Sequence, residues 1–185
     1  MPMSSWQGLL ISMQTAGTAV TGTTEGSLLA TQAKYTLPAN AMVYAGQTLR
    51  IRAAGQISNV ATTPGTLTFR VKFGSIVVAT SQALTLNTTL KTNVTWILDW
   101  DLTCRSVGGG TAATFIHTGQ WQSESVAGSS AAGATGTAGH IIPQSAPAVG
   151  TGFDSTVTNV IDLAAIFSVT GNSIQATSYK LESLN

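Results

Sequence analysis

Few residues in this chain are equipped for chemistry, and several of them fall together. The stretch TWILDWDLTCRS, residues 95–106, holds two of the four tryptophans, the single cysteine and two of the seven acidic residues. Asp99 and Asp101 stand two positions apart. On a strand, positions i and i+2 point to the same side about 6.5–7 Å apart. Glycosidases use carboxyl separations of roughly 5–9.5 Å, so an acid pair is geometrically available. The other reading is that both carboxylates decorate the solvent face of an amphipathic strand. One strand gives two carboxylates a single orientation, whereas a glycosidic bond is flanked from two sides, which favours the second reading.

The other reactive side chains are isolated. His117 and His140 have no H-x-H, H-E-x-x-H or acidic cluster beside them, so no metal centre is expected. His117 lies on a mostly apolar face and reads as a core imidazole. A lone Cys104 excludes an internal disulfide framework and a cysteine-rich zinc site. Its apolar neighbours make it a small core residue rather than a nucleophile. Gly108–Gly110 is not followed by Lys-Ser/Thr and opens no helix, so it is a turn, not a phosphate loop. Asn87-Thr88-Thr89 and Asn93-Val94-Thr95 match glycosylation sequons. However, MPMSSWQGLL has no basic n-region and no clear cleavage site, and no signal peptide is expected. No cofactor is implied anywhere.

Strands must position these groups. Val94, Trp96, Leu98, Trp100, Leu102 and Cys104 are apolar and even-numbered. Thr95, Asp99, Asp101, Thr103 and Arg105 are polar and odd-numbered, with Ile97 the exception. Trp96 and Trp100 would stack on a sugar if exposed, but their uniformly apolar face assigns them to the core. TLRIRAAGQI (48–57) and TLTFRVKF (66–73) alternate in the same way. With Pro64-Gly65 between them they read as an antiparallel hairpin. That hairpin would set Arg50 near Lys72 and Arg52 near Arg70. Four like charges in one patch need a partner. Asp99 and Asp101 are the internal choice, and an acidic surface on another subunit is the alternative. Gly74-Ser75 allows a tight turn into residues 76–80. Residues 161–169 and 174–181 form a last pair of strands about Gly171-Asn172.

Residues 127–139, rich in Gly and Ala, carry no periodicity and read as a long loop that continues through HIIPQSAPAVGTG. Residues 1–26 read as an N-terminal arm or a first strand, with Trp6, Leu9, Leu10 and Ile11 as its anchors. Residues 27–185 form the remaining domain. About seven or eight short strands with Gly- and Pro-containing turns argue for an all-β, antiparallel two-sheet sandwich, with the jelly roll as the specific expectation.

Composition narrows the function. Only 8% of residues are charged, the net charge is +1, and there are 29 threonines. Near-neutrality argues against a duplex-DNA binder, so no nucleic-acid partner is expected. No run of about 18 apolar residues predicts a membrane span. Low charge suits a protein that is packed against neighbours.

Several stretches carry a resemblance. YTLPANAMVYAGQTLRIRAAGQIS, TTPGTLTFRVKFG, TWILDWDLTCRSVG and GFDSTVTNVIDLAAIFSV together resemble a family of tailed-bacteriophage virion structural proteins, over roughly residues 25–181. The resemblance implies a jelly-roll head decoration (cement) protein that bridges and stabilises capsomers. It also implies the major capsid protein as partner, a homotrimer as the oligomer, and a place on the capsid surface after assembly in the bacterial cytoplasm. It supplies no catalytic residues. A tail, baseplate or fibre component of a virion shares this fold and composition. A carbohydrate-binding jelly roll is the alternative from another class, and it requires an exposed tryptophan, Trp121 or Trp6. An enzyme has only Asp99 and Asp101 in its support.

Overall fold

A computed structural model of the chain describes residues 7–125 and 138–184. Its strands are β1 (Gly8–Ser12), β2 (Gly26–Ser27), β3 (Tyr35–Leu37), β4 (Thr48–Asn59), β5 (Thr66–Phe73) and β6 (Ile76–Thr80), followed by β7 (Leu84–Thr85), β8 (Lys91–Ser106), β9 (Thr114–Ser123), β10 (Ala138–Ile142), β11 (Asn159–Phe167) and β12 (Ser173–Ser183). They build two antiparallel sheets. The wider has the order β1-β12-β4-β8-β9-β10, and the other has the order β2-β11-β5-β6, with β3 also on β11 and β7 on β5.

The pairing is nested. β1 joins β12, β2 joins β11, β4 joins β8, and β5 joins β6. The chain is thus one long hairpin whose tip is Gly74–Ser75, coiled so that successive segments fall in opposite sheets. That is the two-Greek-key arrangement of a jelly roll, with β9 and β10 added beyond β8. Gly74 has φ +60, the left-handed conformation the tip requires.

Alternation decides which side of each strand is buried. On β8, Trp96, Trp100 and Cys104 are fully buried. On β5, Leu67, Phe69 and Val71 are fully buried and Phe73 nearly so. The two faces meet across the core, where Phe69 lies 5.7 Å from Trp96 and 5.5 Å from Trp121 between ring centroids. Phe73, Phe115 and Phe153 form a second aromatic cluster, with centroids 4.9–5.4 Å apart. Edge-to-face contacts of Phe69 with Trp121, and of Phe73 with Phe115 and Phe153, add to the burial of these rings.

Three expectations are corrected. The strands at 48–57 and 66–73 are not a hairpin: β4 lies in the wide sheet between β12 and β8, and β5 lies in the other sheet between β11 and β6. Their apolar faces oppose each other across the core, so their charged faces point away from each other. β11 and β12 likewise do not pair. Gly171, at φ +89, carries the chain from one sheet to the other. Finally, the loop after the Gly/Ala stretch gives way to structure, since His140, Ile141 and Ile142 pair with β9. Of residues 127–139 only Ala138 and Gly139 are described, as the start of β10.

The N-terminal segment is tied down rather than extended away. Beyond β1, Met13, Gly17 and Val20 donate backbone N–H groups to Tyr179, Ala176 and Ile174 of β12. Residues 8–20 therefore follow the whole edge of the wide sheet. Leu10 and Ile11 pack against the core and Leu9 is 58% exposed, while Trp6 lies outside the described residues.

Candidate functional site

The polar residues of the wide sheet share its outer face in register. One cross-strand row runs Lys180, Arg52, Asp99, Gln120, Ile141. The next runs Leu9, Glu182, Arg50, Asp101, Thr118. Three cations and three anions are therefore collected on one face.

Arg50 and Asp101 form a bidentate pair: Nε and Nη2 donate to the two carboxylate oxygens, each at 2.7 Å. Asp99 lies 3.8 Å from Arg50 Nε and 3.6 Å from Arg52 Nε. The hydrogen bond to Asp101 raises the Arg50 pKa further above its ordinary range against the cost of burial, and the charges of Asp101, Asp99 and Glu182 add to it. Asp99 and Asp101 are thus held by arginines of the neighbouring strand. They do not face each other across a cleft, which removes the arrangement a glycosidase pair needs.

Arg70 and Lys72 are on the opposite side of the molecule. Their partner is Glu25, at 2.7 and 2.6 Å. Burial works against the Glu25 carboxylate, but the hydrogen bonds from Lys72 and Arg70 outweigh it and lower its pKa. Nearby, Lys34 lies 2.8 Å from Asp162, which also accepts a 2.6 Å hydrogen bond from Ser27. The four-cation patch expected from the sequence therefore does not form. It is two separate pairs of cations, each with its own carboxylates.

The remaining reactive groups are buried. His117 accepts a hydrogen bond from Trp100 Nε1 at 3.2 Å, and burial lowers its pKa. Cys104 donates to the Ser106 carbonyl, and burial raises its pKa, which disfavours the thiolate. Trp96, Trp100 and Trp121 are fully buried, so Trp121 offers no sugar platform. Among the described residues, no group of three or more His, Cys, Asp or Glu is placed to hold a metal.

Two features escaped sequence reasoning. Glu25 sits in a Thr/Gly-rich stretch with no periodicity, and only the sheet brings it to Arg70. At the end of the sandwich near residue 60, Asn59 donates to the carbonyls of Asn87 and Thr89 and accepts from Ser125. Asn172 donates to Pro64 and accepts from Val60 N–H. Asn87, read from sequence as a possible sequon, is 8% exposed, and its side-chain oxygen accepts from Thr89 N–H. These asparagines tie loops together.

On the outer face of the wide sheet, a shallow depression of about 300 Å³ is bordered by Arg52, Ala54, Ile97, Asp99, Ser178 and Lys180. Ile97, the exception to the alternation of β8, is 48% exposed there. Compared with known proteins, the chain matches no protein-family model and no curated relative.

Proposed function

We propose that this chain is a virion structural protein, a capsid decoration protein that sits on assembled subunits of the major capsid protein and stabilises them without catalysis. The observation that carries the proposal is the outer face of the wide sheet, β1-β12-β4-β8-β9-β10. Its three cations and three anions balance, and Leu9, Ile97 and Ile141 are exposed on it at 58%, 48% and 74%. With no net charge the face sets up no net electrostatic repulsion toward another protein surface, and its exposed apolar side chains gain from burial. The sequence resemblance to phage virion proteins supplies the setting, and the nested jelly-roll pairing agrees with it. The carbohydrate-binding alternative loses one of its two candidate tryptophans, since Trp121 is buried and Trp6 lies outside the described residues.

The test uses expanded heads that lack the protein. Purified chain added to them is expected to co-sediment and to raise the temperature at which they release DNA. Failure to bind, with heads equally robust in its presence and absence, overturns the proposal. Binding to tails or baseplates in place of heads moves the protein to the tail-component reading.

A further inference from the structure

We propose that the outer face of the wide sheet binds a second copy of this chain, face to face, about a twofold axis parallel to the strands and midway between β4 and β8. The contact does not rest on the virion reading, and it excludes a capsid contact through the same face, so a dimer must part before the chain seats on a capsid by that face. The order β1-β12-β4-β8-β9-β10 has its centre between β4 and β8. A twofold axis there lays β4 over β8 of the second copy, β12 over β9, and β1 over β10. Positions along the strands are preserved, so each row meets itself in reverse.

Charge then pairs with charge. Arg52 and Asp99 are direct cross-strand partners, as are Arg50 and Asp101. Under the axis, Arg52 meets Asp99 of the second copy and Arg50 meets Asp101, and symmetry makes each contact twice. Shape follows the same rule. Ala54 and Ile97 are partners in the adjacent row. The exposed Ile97 of one copy therefore falls on Ala54 of the other, at the edge of the depression. Lys180 stands directly opposite Arg52 and has no ion-pair partner among the described residues. The axis brings it over Gln120, whose side-chain carbonyl accepts hydrogen bonds.

The face is large enough. Six strands spaced about 4.8 Å apart cover about 24 Å, and the rows from Thr95 to Thr103 cover about 27 Å at about 3.4 Å per residue. Each copy contributes on the order of 650 Å², so the pair buries roughly 1,300 Å², which is within the range of stable interfaces.

The experiment is sedimentation velocity on the full chain over a concentration series, with R52E and D99R as variants. Wild type is expected to sediment with the mass of two chains at micromolar concentration. R52E alone sets a carboxylate against Asp99 of the second copy, and D99R alone sets a guanidinium group against Arg52, each at both symmetric contacts. Each is expected to weaken association at least about tenfold. Mixed in equal amounts, they are expected to restore the dimer, because the two reversed positions face each other across the twofold axis. A purely intramolecular role for these charges predicts no rescue on mixing. I97D is a second probe, and at an exposed position it is expected to fold and to dissociate. A wild-type mass of one or three chains, a dimer indifferent to all three variants, or no rescue on mixing overturns the proposal.

Discussion

His117 shows how burial turns an ordinary residue into a pH-dependent one. It is 6% exposed, packs edge-on against Trp100, and its Nδ1 is the acceptor for the Trp100 indole. Burial holds its folded pKa below the ordinary 6.5. The folded chain therefore resists a proton that the unfolded chain accepts. Stability is full above about pH 6.5, declines as pH falls from there to the folded pKa, and is level below it. His140 is shifted the same way, chiefly by burial, and adds to the decline. His117→Gln keeps an acceptor for Trp100 and loses the titration. Urea unfolding across pH 7 to 5 is expected to show a shallower loss of stability in H117Q, and an unchanged slope would refute this account.

Within the wide sheet, two strands are held close by a missing side chain. Trp96 Nε1 donates to the carbonyls of both Gln56 and Gln175, at 3.2 Å each, and so reaches across β4 to β12. Gly55 lies between them, and a Cβ there would overlap the Gln175 carbonyl oxygen. Gly119 plays the same part on β9, where a Cβ would overlap the Asp99 carbonyl oxygen and press on Trp100. Gly55→Ala is expected to cost about 3 kcal/mol, because both colliding groups are backbone in the middle of a sheet. In a thermal melt this corresponds to a Tm about 6–12 °C lower. A Tm within a degree of wild type would show that β12 shifts freely at this point.

At the scale of the whole molecule, nesting sets the folding problem. The pairs β5–β6 and β8–β9 join consecutive strands, whereas β1 must find β12 at the far end of the chain. Loop-closure entropy is spent before those long-range contacts form, so refolding is expected in the range of milliseconds to seconds. Stopped-flow fluorescence can follow it through the buried Trp96, Trp100 and Trp121. Complete refolding within tens of microseconds would contradict this topology. The same coiling places the charges: one group balances on the outer face of the wide sheet, and another gathers around Glu25 and Asp162 on the other sheet.

The sequence by itself determined the β-rich class, the turn at Gly74–Ser75, and which side of β4, β5, β8 and β11 is buried. It placed Trp96, Trp100 and Cys104 inside and Asp99 and Asp101 outside, because a strand's side chains alternate with a period of two that needs no partner. It also marked Ile97 as the one apolar residue on the polar side of β8. It could not decide which strand lies beside which. Alternation is the same whether β4 pairs with β5 or faces it across a core, so Arg52 and Arg70 looked like neighbours until the sheets separated them. Glu25, Asn59 and Asn172 carried no local pattern, and their roles arise only where distant segments converge. The tertiary structure made those choices, since strand partners are selected by the closure of one common core and not by any short stretch of chain.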